Sequence, residues 1–249
     1  MNQEQNKNSN QFISGIYNYC NRWCQRCEFT SKCMLGAIEN EIETKKNELD
    51  NGITSLEDIF EKYFTDTKNS FYEKNMELDF DSEDTEEEES FIEERKIKRL
   101  INESSDCAEA SKKYISMVNE WFNNQKSNSK KSGNLEMQAL NSKAISKIVD
   151  SIEVVQWYQY QIYVKIMRAL SGEDIDVVDD LPKDSDGSAK VALIGIDSSI
   201  SAWENLLLYF SDEDKLIFTN ILHLIELQHT IEKKFPNARS FIRPGFDED

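Results

Sequence analysis

The sequence predicts an all-α protein. Glycine and proline are scarce, eight and three in 249 residues. Apolar residues recur at three- and four-residue spacing over long segments, and polar or acidic stretches separate those segments. The most regular pattern covers residues 138–170, where Ile145, Ile148, Val149, Ile152, Ile166 and Leu170 mark one stripe and Ser171-Gly172 stops it. A second long helix is expected over 91–123, burying Ile97, Leu100, Ile101, Ala108, Ile115, Val118 and Phe122. Two more are expected over 188–210 and 212–234, joined at Ser211-Asp212 with Asp212 as a cap. Four long helices with short or polar connections predict an antiparallel helical bundle.

The chain divides on composition. Residues 1–50 carry a cysteine-rich, metal-binding helical segment, and 51–78 a connecting helix capped by Thr54 or Ser55 and lined by Ile59, Phe60, Tyr63 and Phe64. Residues 79–90 read as a solvated acidic linker. The bundle spans 91–235, interrupted by a polar linker at 123–134 and an acidic loop at 172–188. The tail, 236–249, is expected to dock on the bundle through Phe241, Ile242 and Phe246.

Acidic residues outnumber basic ones 47 to 29, giving a net charge of −18. That balance argues against general nucleic-acid binding, which needs clustered Lys and Arg to neutralise phosphates. No run of about 18 apolar residues is present, and the polar start MNQEQNKNSN lacks a signal-peptide core. The expected location is the cytoplasm, with no membrane association and no partner identified.

Four of the five cysteines, Cys20, Cys24, Cys27 and Cys33, fall within fourteen residues with spacing C-x3-C-x2-C-x5-C. Thiols this crowded, without secretory features, point to metal ligation rather than disulfides. On a helix over 12–28, Cys20, Cys24 and Cys27 would share one face within about 60°. Cys33 would then need a turn before it, with Thr30 or Ser31 capping a second helix from Lys32. Arg22, Arg26 and Lys32 could offset a dianionic site, and Tyr19, Trp23 and Phe29 could limit water access. The leading expectation for the cofactor is a [4Fe–4S] cluster, for which four cysteines are the usual ligand set. Zinc is the alternative, although structural zinc sites usually separate two C-x2-C knuckles by a dozen residues or more. The fifth cysteine, Cys107, reads as a small buried hydrophobe.

Cys24-x2-Cys27-x5-Cys33 resembles the end of the cluster loop in endonuclease III-type DNA glycosylases, whose pattern is C-x6-C-x2-C-x5-C. The resemblance covers about a dozen residues and implies cluster ligation for those three cysteines, with Cys20 added by proximity. The first spacer differs, and the catalytic helix-hairpin-helix of that family is absent. Cys20-x3-Cys24-x2-Cys27 is also similar to the radical-SAM signature. That family's βα barrel needs strand runs this sequence lacks. The stretches YCNRWCQRCEFTSKC, VVQWYQYQIYVKIMRALSG and FPNARSFIRPGFD together resemble a group of uncharacterised bacterial helical proteins with an N-terminal four-cysteine segment. That resemblance implies no activity.

The sequence holds two further constellations. Glu226 and His229 form one Glu-x-x-His motif, with His223 nearby, as in carboxylate-bridged di-iron bundles. On the helical wheel Glu226 lies about 160° and His223 about 140° from the core stripe, so the motif is expected to face solvent. The only echo of it is Glu153-x-x-Gln156. Gln156, Gln159 and Gln228 fall in apolar stripes with Tyr163 beside them, and are expected to meet in a polar network or pocket. Asp197 and Glu204 are expected on the rim. No catalytic residue is identified. The expected role is a metal-binding protein whose cluster is structural or redox-sensing, with a zinc-stapled interaction module or an Fe–S redox enzyme or electron carrier as alternatives.

Overall fold

The structure, a computed structural model, describes residues 12–37, 86–129, 142–172, 183–210 and 214–247. The expectations for the helix through Ile38 and Ile42, the connecting helix at 51–78, residues 79–85, the linker beyond 129, residues 173–182 and the Ser211-Asp212 joint lie outside them. Among the described residues the chain is helical and contains no strand. The described residues include five helices of more than four turns: α1 (Glu86–Glu103), α2 (Asp106–Ser129), α3 (Ser142–Gly172), α4 (Asp184–Leu207) and α5 (Asp214–Lys234).

The single helix expected over 91–123 is two helices, and the first already begins at Glu86 inside the acidic stretch. The break lies at Ser104-Ser105. Ser104 Oγ donates to the Ile101 carbonyl at 2.8 Å and Ser105 Oγ to the Asn102 carbonyl at 2.7 Å. Ser105 Oγ also accepts the Ala108 N–H at 3.4 Å, which makes it the N-cap of α2. On α1, Ile97, Leu100 and Ile101 are left 51%, 65% and 63% exposed. Beyond the break the expectation holds better. Cys107, Ala108, Tyr114, Val118, Trp121 and Phe122 are buried along one face of α2, while Ile115 is half-buried.

Helices α2, α3, α4 and α5 touch in a closed cycle, α2 on α3, α3 on α4, α4 on α5 and α5 on α2, and share one hydrophobic core. The α3–α4 contact is the most extensive, because α4 presents small residues to its neighbours. Gly187, Ser188, Ala189, Ala192, Gly195, Ser199 and Ala202 are all buried. At Gly195 a Cβ would lie 2.8 Å from a ring carbon of Tyr158, so only glycine permits this approach. At the centre Trp121 meets Trp203 edge-on at 5.1 Å, and Trp203 Nε1 donates to Tyr114 Oη at 3.0 Å. Burial pushes the Tyr114 phenol up to about 12, so it stays a neutral hydroxyl.

Because α5 contacts both α2 and α4, its buried surface is wider than one stripe. Ile217, Ile221, Leu224, Leu227 and Ile231 are buried, and so are Asn220 and His223. Truncating Trp203 to alanine should cost about 3–5 kcal/mol. Ile101→Ala, on the exposed face of α1, should stay within about 0.5 kcal/mol of wild type. Urea unfolding followed by far-UV circular dichroism measures both, and equal losses would contradict this placement of the core.

Candidate functional site

The cysteine segment does not form the α-helix expected over 12–28. It runs as three 3-10 turns, Ile16–Asn18, Cys24–Arg26 and Thr30–Lys32, joined by loops. Gly15 and Arg22 hold positive φ, 73° and 59°, which a continuous right-handed helix excludes. The physical reason lies in α3. The carbonyls of Asn18 and Asn21, which a helix would use internally, accept hydrogen bonds from α3 side chains. Asn18 O takes Lys165 Nζ at 3.2 Å and Arg168 Nη1 at 3.1 Å, and Asn21 O takes Trp157 Nε1 at 2.9 Å. The Asn21 amide donates to Tyr158 Oη at 2.8 Å.

Aromatic contacts complete the docking. Trp23 stacks on Trp157 at 5.0 Å and meets Tyr158 edge-on at 6.1 Å. Arg26 lies 4.2 Å over the Trp23 ring and pairs with Asp150 at 2.6 Å and with Glu153. It is therefore turned to α3 rather than to the thiols. Tyr19 packs on Phe241 at 4.7 Å and donates to Asp184 Oδ1 at 2.9 Å. Gly187 makes room for that pair, since a Cβ there would lie 2.4 Å from Tyr19 and 2.7 Å from Phe241.

Cys20, Cys24, Cys27 and Cys33 line one cleft together with Ile16, Arg22, Trp23, Phe29 and Phe246. The cleft measures about 300 Å³, counting the space that opens to solvent. No disulfide joins any of the five cysteines. Cys33 is the residue before the helix that starts at Met34, and its Sγ accepts the Gly36 N–H at 3.4 Å in the manner of an N-cap. Cys27 Sγ accepts the Phe29 N–H at 3.4 Å, and Cys20 Sγ donates to the Tyr17 carbonyl at 3.4 Å. Burial pushes the Cys27 thiol up, the Phe29 N–H opposes that, and the charges of Cys20 and Cys33 push it further up. Among the described residues no three His, Cys, Asp or Glu side chains converge closely enough to hold a single metal ion. Four thiols are a donor set that zinc and iron–sulfur sites both use.

One contributor to the cleft and one residue that docks the cysteine segment on α3 were missed in the sequence. Phe246 comes from the C-terminal tail and meets Phe29 edge-on at 4.9 Å. The tail is held by Asp247, which pairs with Arg243 at 2.9 Å and Lys190 at 2.8 Å, while Lys190 also donates to the Phe241 carbonyl at 2.5 Å. Lys165 is the other. It is 4% exposed in the apolar stripe of α3, and burial pulls its ammonium down to about 8. A charged residue at stripe spacing between Ile162 and Ile166 was the available signal.

The remaining candidates separate. Gln156 and Gln159 are buried as their stripe positions indicated, but their Oε1 atoms have no hydrogen-bond partner. Gln228 does not join them. It donates to Asp197 Oδ1 at 2.6 Å, beside Arg239, which donates to Asp197 Oδ2 at 2.5 Å and to Glu232 at 2.9 Å. Tyr163 is half-buried with the Lys112 ammonium 5.5 Å over its ring. Glu204, Glu226 and His229 are exposed. His223 is not: it is buried against α2, where Nε2–H donates to the Ala110 carbonyl at 2.7 Å. The single-stripe wheel failed there because α5 has two covered faces.

Hydrogen bonds from Arg243 first, then Lys190, hold the Asp247 carboxyl well below the ordinary 3.8. A depressed folded-state value means stability that is complete above 3.8 and lost as pH falls below it. Asp247→Asn should therefore be less stable by about 1.5–3 kcal/mol at pH 7, the range for hydrogen bonds to charged groups. Its deficit should shrink as acid unfolding, read by tryptophan fluorescence, is followed below pH 3.8; a gap independent of pH would contradict the clamp. No family model, no curated protein and no solved structure matches this chain.

Proposed function

We propose that this is a cytoplasmic metal-binding protein in which Cys20, Cys24, Cys27 and Cys33 hold a [4Fe–4S] cluster on a helical bundle. The observation that carries the proposal is the lining of one cleft by all four cysteines. The aromatic wall of Trp23, Phe29 and Phe246 adds the restricted water access such clusters need. The closed cycle of contacts among α2, α3, α4 and α5 supports the bundle. Among the described residues no helix is long and apolar enough to cross a membrane.

The cluster's role is structural or redox-sensing. Once ligated it would fix three short turns that have little regular structure of their own, and would fasten them to α3 and to the tail. Zinc would require at least three of these sulfurs to close on one point, a rearrangement the turns would have to make.

Protein purified without oxygen should be brown, with a broad band near 400 nm and about four iron and four sulfide per chain. Cys24→Ser should lose the colour and melt at a lower temperature. Colourless wild-type protein containing zinc would transfer the proposal to a zinc-stapled interaction module, and protein without any metal would overturn it. Unchanged melting of Cys24→Ser beside lost colour would remove the structural role alone.

A further inference from the structure

We propose that the C-terminal segment 241–247 is a latched gate over the cysteine cleft, with Phe246 as its plug and Lys190 as its latch, and that it sets how fast small molecules reach the four thiols. The gate acts on the thiols whether or not they hold a metal, so it stands apart from the metal-site reading.

Among the described residues that line the cleft, Phe246 alone lies outside 16–36. Its ring meets Phe29 edge-on at 4.9 Å, and the Phe29 N–H in turn reaches Cys27 Sγ at 3.4 Å. The plug therefore rests on the turn between Cys27 and Cys33. Beside it, Gly245 lies so close to Ile13 and Ile16 that a Cβ would come within 2.9 and 3.0 Å of their Cδ1 atoms. Ile16 is itself part of the cleft wall. One side of the cleft is thus supplied by a segment more than 200 residues away in the chain.

That segment folds on itself more than into the core. The N–H groups of Phe246 and Asp247 both donate to the Arg243 carbonyl at 3.1 Å. The Arg243 guanidinium pairs with Asp247 and lies 4.8 Å over the Phe246 ring. Phe241 is buried on Tyr19, whereas Ile242 is 59% exposed, so the chain leaves the core at that point and crosses the surface. Lys190 on α4 fastens it. Its ammonium donates to the Phe241 carbonyl at 2.5 Å and pairs with Asp247 at 2.8 Å, tying the buried base of the loop to its far end. A loop held by so few groups opens at less cost than the helical core. Release of one lysine frees the far end, and the loop, already closed on itself, lifts Phe246 from Phe29 as a unit about Phe241.

The test is site-resolved alkylation of the folded full chain. Protein treated with EDTA and a thiol reductant is desalted without oxygen and pulsed with iodoacetamide, and each cysteine is read by peptide mass spectrometry. Cys107, buried in the bundle core, reports global unfolding. Phe246→Ala removes an aromatic pair and should speed alkylation of Cys20, Cys24, Cys27 and Cys33 about tenfold. Lys190→Met loses the hydrogen bonds of a charged group and should speed it by about the same factor. Phe246→Leu, which keeps an apolar plug, should restore most of the protection. Cys107 should react at the wild-type rate throughout. Cleft rates in Phe246→Ala equal to wild type would overturn the gate. So would a parallel rise at Cys107, since the whole fold would then have loosened. Faster labelling in Phe246→Ala but not in Lys190→Met would also overturn it, because Phe246 would be a fixed wall without a latch. If Phe246→Ala fails to fold, Phe246→Val takes its place with the same outcomes. Wild-type protein that contains no metal leaves these rates unaffected, so the two readings fail separately.

Discussion

The cysteine segment keeps its shape because its backbone carbonyls are satisfied by side chains of another helix. A loop packed against a core must place every buried C=O on a donor, or lose about 1–3 kcal/mol for each one left alone. Lys165, Arg168 and Trp157 supply those donors from α3 to Asn18 and Asn21. With the carbonyls drawn outward, the turns cannot close into a helix, and the thiols are presented from a folded-back loop. The stacking of Trp23 on Trp157 and the pairing of Arg26 with Asp150 lie on the same helix. α3 therefore has two tasks, one face in the hydrophobic core and one face holding the cysteines.

A second consequence concerns charge. The chain is strongly acidic, yet Lys165 and Arg168 are both brought to the Asn18 carbonyl of the cysteine segment. These cations sit on α3 one turn apart in the i, i+3 relation, so one helix delivers both to one loop. Lys165 and Arg168 both donate to the Asn18 carbonyl, and Arg168 also pairs with Asp184. The C-terminal tail packs on the same segment. Gly245 turns with φ 75° so closely beside Ile13 that a Cβ would lie 2.9 Å from its Cδ1, and this sets Phe246 against Phe29.

Helical content was legible because it depends on local periodicity. The stripe of α3, the apolar face of α2 after its break, and the core of α5 all follow from residue spacing. Three elements were illegible for a common reason: tertiary contacts outweighed the local pattern. Ile97, Leu100 and Ile101 lie at helical spacing but on a separate helix, ended at Ser104-Ser105, that leaves them exposed. His223 lies off the main stripe of α5 but under α2. Asp184 and Asp186, read as part of an acidic loop, instead begin α4, and Asp184 is the anchor for Arg168 and Tyr19.

From the sequence alone came the all-α class, the main helices, the four candidate ligands and the burial of Gln156 and Gln159. These depend on spacing along the chain, which propensity and periodicity encode directly. The tertiary structure decided the path between the cysteines, the partnership of Gln228 with Asp197, the contribution of Phe246 to the cleft and the hydrogen bond from Lys165 to the Asn18 carbonyl. Each joins residues far apart in the chain, and no local pattern records which donor will reach which carbonyl once α3 and α4 have packed.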